Sequence, residues 1–212
     1  MMRVSLTDAG KRFNRDWIFR HVSQEFQEGK GYALTGPNGS GKSTLLQVIA
    51  GALLPSEGKV NYTRASGPVP DDEQFHAISV CAPYIELIEE MTAMEFLSFH
   101  AMFKPWKAGN TPEGMLERVG LLEAKDKQVR WYSSGMKQRL KLLQAFFSDT
   151  PVLLLDEPCT NLDGSGIEMY RSLVSDLTRG RLVIVSSNDR IEYDFCDTTI
   201  WLPDHRKAPL KA

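Results

Sequence analysis

The sequence predicts an α/β fold: a mostly parallel sheet with helices, a small antiparallel β portion, and an inserted helical segment. Three observations predict it. Residues 152–155 and 182–185 are continuous apolar runs, the pattern of strands covered on both faces. Residues 164–177 lie between those runs as a crossover helix. Upstream, strand-like residues 31–35 lead through a glycine-rich stretch into a helical segment, 45–50.

The remaining elements follow in order. Residues 3–6, 18–26, 32–35 and 59–63 read as short strands, with Phe19, Val22 and Phe26 apolar among polar neighbours, as on a half-exposed sheet. A loop rich in glycine, proline and acid, 66–73, precedes a strand at 77–81. From Thr92 a mostly apolar helix carries Met94, Leu97, Phe99, Ala101, Met102 and Phe103 until Pro105 and the turn residues 109–112 end it. A second helix runs to about Val119, and a third spans 134–147 with Leu140, Leu143 and Phe147 on one face. A last strand at 199–202 precedes a basic, proline-containing tail. The expected organisation is one domain over 1–212, with 1–83 and 140–212 as the core and about 84–139 as the helical subdomain.

Composition narrows the function classes. At 212 residues and 42% hydrophobic, the chain can bury one substantial core. A net charge of −2 supplies no global basic field, so nucleic acid is not an expected partner. No window approaches the roughly 20 consecutive apolar residues that span a bilayer, and the N-terminus lacks the apolar stretch of a secretory signal. Cys81, Cys159 and Cys196 are odd in number and widely spaced, which favours reduced thiols, and the histidines have no metal-ligand spacing. These features predict an intracellular chain.

The stretch Gly36-Pro37-Asn38-Gly39-Ser40-Gly41-Lys42-Ser43-Thr44 carries the clearest chemistry. Glycines let a loop bend around an anion so that successive backbone N–H groups point inward. The helix that follows adds positive potential, Lys42 can reach the β- and γ-phosphates, and the Ser43 hydroxyl can ligate Mg²⁺. This predicts a nucleoside triphosphate site. A second constellation, Asp156-Glu157, ends a buried strand, the end that faces the ligand crevice in an open α/β sheet. Asp156 is then placed to hold Mg²⁺ through water, and Glu157 to accept a proton from water attacking the γ-phosphate. A third, Tyr132-Ser133-Ser134-Gly135-Met136, places Ser133 as the cap of a helix whose N-terminus can face an anion.

With these motifs in this order, the sequence resembles the nucleotide-binding subunits of ABC transporters over nearly its whole length. The resemblance implies ATP at the phosphate loop and the signature sequence at Tyr132 to Met136. It also implies a joint to the helical part near Cys81 to Tyr84, and the loop Thr160-Asn161-Leu162-Asp163, with Asp163 among the nucleotide-binding residues. It suggests Phe13 as the aromatic that stacks on adenine, with Trp17 as the alternative and core packing of Phe13 also open. Two such domains pair head to tail in this family, so Ser133 and Gly135 would act on the partner's nucleotide and Lys42, Ser43, Asp156 and Glu157 on their own. A separate transmembrane permease would receive the subunit on the inner face of the membrane, near residues 83–90 with Tyr84, Ile85, Leu87 and Ile88 as apolar contacts. A second ATP-binding domain, the same chain or a different one, completes the assembly. A soluble ATPase of the same type, acting as an assembly factor or nucleotide-dependent regulator, is the alternative.

The family pattern is broken in four places. Tyr132, Ser134 and Met136 replace the usual leucine, glycine and glutamine of the signature, while Ser133 and Gly135 remain. Pro83 stands where a glutamine senses metal and attacking water, and proline offers neither a side-chain amide nor an N–H. Asn188 replaces the switch histidine and cannot carry a charge, although its amide can still donate a hydrogen bond. The last strand lies near the end of this sequence, so no appended regulatory domain is expected. The two lost groups predict slow hydrolysis with ATP binding intact.

Overall fold

The computed structural model describes residues 1–203. The chain opens with β1 (Arg3–Phe13), β2 (Asp16–Gln27), β3 (Gly31–Thr35), α1 (Lys42–Ile49), β4 (Glu57–Arg64) and the short β5 (Gly67–Pro68). β6 (Ile78–Cys81) precedes α2 (Ala93–Ala101), α3 (Pro112–Arg118) and α4 (Ser134–Phe147). β7 (Val152–Asp156), α5 (Gly164–Leu177), β8 (Leu182–Ser186) and β9 (Thr198–Trp201) follow. The strands form an antiparallel sheet ordered β2-β1-β4-β5 and a parallel sheet ordered β6-β7-β8-β3-β9.

Several element bounds differ from the sequence reading, each for a local reason. β1 and β2 pair out to Phe13 and Asp16, through register shifts between Leu6 and Ala9 and beyond. Such irregularities break the two-residue alternation, so the outer halves of both strands lose their pattern. α1 starts at Lys42 because polar Lys42, Ser43 and Thr44 form its first turn. Thr92 caps α2 rather than joining it: its hydroxyl accepts from Glu95 N, and the Glu95 carboxylate accepts from Thr92 N at 2.8 Å. Met102 and Phe103 fall after the helix and are exposed. The acidic loop holds β5 and a 3₁₀ turn, Asp71–Ala77, so Ala77 precedes β6. The predicted basic tail lies outside the described residues.

The parallel sheet divides the core. Leu153, Leu155, Val183 and Val185 face a cluster containing Leu97, Met115, Leu143 and Tyr170 from the helical part, α4 and α5. The alternate residues Val152, Leu154, Leu182 and Ile184 face α1 and the antiparallel sheet, meeting Leu45, Ile49, Phe19 and Phe26. Burial of each such side chain stabilises the fold by about 1.5–3 kcal/mol. Helix α4 runs without a break through position 139/140, carrying one core from the helical part into the α/β part. Register pairs Leu34 and Asp156 with Ser186, so β3, β7 and β8 end at one edge. In an open α/β sheet that edge is where ligands bind.

Candidate functional site

The loop after β3 wraps around its own lysine. Gly36 (φ 148°) lies so close to Leu202 that a Cβ would stand 2.3 Å from its carbonyl oxygen, and one at Gly41 (φ 96°) would stand 2.6 Å from Ile18 Cγ2. Only glycine fits both positions. Lys42, 7% exposed, donates from Nζ to the carbonyls of Gly36 at 2.8 Å and Pro37 at 3.2 Å. Burial pushes its ammonium below the usual range, while Glu157 and Asp156 pull it back up. A charge withdrawn from water with two neutral carbonyls as partners is well placed for an anion. Asn38, Gly39, Gly41, Lys42, Ser43 and Thr44 line one cavity of 260 Å³, with Glu157 and Ile18 across it.

Asp156 ends β7 fully buried, and its Oδ1 completes no hydrogen bond among the described residues. Burial raises its carboxyl, and the nearby Ser186 and Ser43 hydroxyls favour the ionised form without completing bonds of normal geometry. A buried carboxylate oxygen lacking a donor, beside serine hydroxyls, suits a hard divalent cation. Glu157 is exposed, with φ 45°, and its N–H donates to Ser186 O at 2.9 Å. A non-glycine residue in the left-handed region is strained, and such strain concentrates at functional sites. Asn188 sits over the loop, accepting from Gly36 N at 3.2 Å and donating to Asn38 Oδ1 at 3.2 Å.

Ser133, Gly135 and Asp163 do not join this cavity. With Asn161 and Arg139 they line a separate hollow of 420 Å³. Ser133 caps α4 by accepting from Met136 N at 3.2 Å. A Cβ on Gly135 would stand 3.0 Å from Asn161 O. Asp163 caps α5: its Oδ1 accepts from Gly166 N at 2.8 Å, Ser165 Oγ at 2.9 Å and Arg139 Nη2 at 3.1 Å. One oxygen of that carboxylate is thus engaged within its own chain, and the side chain is otherwise exposed.

The other expected positions divide. Phe13 is 46% exposed at the end of β1, with Lys11 Nζ 5.2 Å from its ring centre, so it is not a core residue. Trp17 has the Arg20 guanidinium 4.1 Å and the Arg12 guanidinium 5.5 Å from its ring centre. Leu87 is buried in the core and unavailable as a surface contact, whereas Tyr84 and Ile88 are exposed. Pro83 is exposed, and its carbonyl accepts from Lys141 Nζ at 3.2 Å. Sequence reasoning missed Ile18, Arg139, Gln138 and Glu192. Ile18 gives no chemical signal, and the other three are defined by partners far away in the chain.

A central parallel strand opening through a glycine-rich loop onto a helix, with an acidic pair ending a nearby strand, defines a phosphate-loop nucleotide-binding protein. A profile of the ABC transporter family matches residues 19–160. The chain belongs to the ATP-binding proteins of that family. It is 31% identical over 205 residues to the ABC transporter ATP-binding protein YdbJ of Bacillus subtilis, covering 95% of this chain and 66% of YdbJ. It is 30% identical over 193 residues to the cytochrome c biogenesis ATP-binding export protein CcmA of Haemophilus influenzae, covering 89% and 90%. The chain therefore spans about two thirds of some relatives and nine tenths of others. Its fold is that of MJ0796, a bacterial ABC transporter cassette solved as a dimer (TM-score 0.79, 24% identity, 95% and 94% covered). It also matches a putative ABC transporter ATP-binding protein from Pyrococcus furiosus (TM-score 0.77, 24% identity, 94% and 97% covered). No described helix is long and apolar enough to cross a membrane.

Proposed function

We propose that this chain is the ATP-hydrolysing subunit of an ABC transporter whose permease is a separate polypeptide, held on the cytoplasmic face of the membrane. The observation that carries this reading is the juxtaposition of buried Lys42 with Asp156, whose Oδ1 is unpartnered among the described residues, at one edge of the parallel sheet. Lys42 and the loop N–H groups bind the phosphates, Phe13 supplies a stacking face for the base, and Ser43 and Asp156 hold Mg²⁺. When bound, that ion neutralises charge on the β- and γ-phosphates. Glu157 takes the proton from the attacking water. Ser133 and Gly135, at the N-terminus of α4, face the γ-phosphate bound by a second copy, so ATP joins the two chains and hydrolysis releases them.

The permease is received by a groove of 570 Å³ between the core and the helical part, lined by Ile85, Ile88, Phe96, Phe99 and Phe103. Purification of the tagged chain from detergent-solubilised membranes tests this assignment. An integral membrane protein is expected to copurify at a fixed ratio; recovery with a soluble assembly alone contradicts it.

Turnover is slow in this reading. Asn188 is occupied in bracing Gly36 and Asn38 and brings no charge, and Pro83 offers only a carbonyl, already used by Lys141. Asn188→His is expected to raise kcat by about tenfold or more, since it restores a charge-assisted donor to the developing anion. Pro83→Gln should raise it less, because the lysine contact beside it persists. Multiple-turnover phosphate release measures both, and no gain from either contradicts the slow-turnover reading.

A further inference from the structure

Glu157 (φ 45°) and Asn161 (φ 64°) both lie in the left-handed region, so the loop between them needs support from outside itself. Besides its own turn bonds, Thr160 N to Glu157 O at 3.1 Å and Leu162 N to Cys159 O at 3.0 Å, and the bond from Glu157 N to Ser186 O, the loop is gripped by side chains at the Pro158–Cys159 peptide group. Its carbonyl, Pro158 O, accepts from Gln138 Nε2 at 2.7 Å, and its amide, Cys159 N, donates to Glu192 Oε1 at 2.6 Å. Gln138 rides on α4, beyond Ser133 and Gly135. Glu192 ends the 3₁₀ turn Arg190–Glu192, shortly after Asn188. Each residue is only 4% exposed.

Both supports are themselves anchored. Tyr170, in the core, donates from Oη to the backbone carbonyl of Glu192 at 2.6 Å. Gln138 also reaches Cys81 Sγ at 3.7 Å, where β6 ends. Arg139, the next residue on α4, fixes the far end of the loop at Asp163. Burial pushes the Glu192 carboxyl up, and the Ser187 hydroxyl and the Cys159 amide pull it back. A carboxylate kept inside at that cost, bonded to a backbone amide, fixes a position more than it stabilises the fold.

We propose that Gln138 and Glu192 are positioning residues for Glu157, gripping the Pro158–Cys159 peptide group from the α4 helix and from the turn after Asn188. Movement of either the signature helix or the switch turn is thereby passed to the base. The inference rests on the reading of Glu157 as general base.

Glu192→Ala removes the acceptor, whereas Glu192→Gln keeps an amide oxygen in its place. At saturating MgATP, Glu192→Ala should lower kcat by about 10- to 100-fold, the cost of a misplaced reacting group, with ATP Kd changed by less than about twofold. Glu192→Gln should return kcat to within about threefold of wild type, because the bond to Cys159 is kept. Amide exchange across residues 157–163, followed by mass spectrometry without nucleotide, should be about tenfold faster in the alanine variant and near wild type in the glutamine variant. Unchanged kcat and exchange in Glu192→Ala, or a loss that Glu192→Gln does not rescue, would overturn the proposal. Should Glu192→Ala fail to fold, Gln138→Met opens the same grip from the other side and is read in the same two ways. A wild-type chain that binds no ATP would overturn the functional reading and leave the exchange comparison intact.

Discussion

Lys42→Ala should weaken ATP binding by about two to three orders of magnitude, since it removes charge-assisted contacts of about 1.5–3 kcal/mol each. The loop loses support at the same time, because the Lys42 ammonium donates to the carbonyls of Gly36 and Pro37. Those carbonyls would then be left to water, and the glycine-permitted curvature that aims the N–H groups inward would have less to hold it. The stability cost should be small, because withdrawing the ammonium from water already works against the wild-type fold. Calorimetric titration with MgATP checks the expectation. Affinity equal to wild type would mean that the polyphosphate lies elsewhere.

Glu157→Gln should lower kcat by about 10²–10⁴-fold, the span attributed to a positioned general base, with ATP affinity nearly unchanged. The substitution keeps the size of the side chain and the strained backbone, whose N–H still reaches Ser186 O. Glutamine cannot take the proton, so only the chemical step is touched. Single-turnover phosphate release at saturating MgATP is the measurement. Loss of binding in parallel with rate would show instead that the carboxylate holds the ground state together.

Much of the architecture is legible in the sequence, because its signals are local. Residues 152–155 and 182–185 announce strands covered on both faces, and the glycines at 36, 39 and 41 announce an anion loop before any partner is known. The outer half of β1 is not legible: register shifts against β2 destroy the alternation that marks a strand. Leu87 reads as surface in a stretch of exposed neighbours, yet packs into the core, since a loop carries no periodicity to say which residues turn inward. The individual roles within the site divide in the same way. Lys42 and Asp156 come from motifs of fixed spacing, whereas Gln138 and Glu192 meet across a peptide group that only the fold brings between them.

The structure also changes how two expected residues are understood. Asp163 uses one carboxylate oxygen for the cap of α5 and for Arg139, so the same exposed side chain also shapes the loop. Asn188 bridges Gly36 and Asn38, which makes it a brace on the phosphate loop.

That ATP joins two copies of this chain is tested most directly by the solution mass of the Glu157→Gln variant, determined by light scattering with no nucleotide, with MgADP and with MgATP. With hydrolysis blocked, the mass should double with MgATP and stay that of one chain in the other two conditions. A mass that ignores ATP in a variant shown to bind it would contradict the pairing of two copies through their nucleotides.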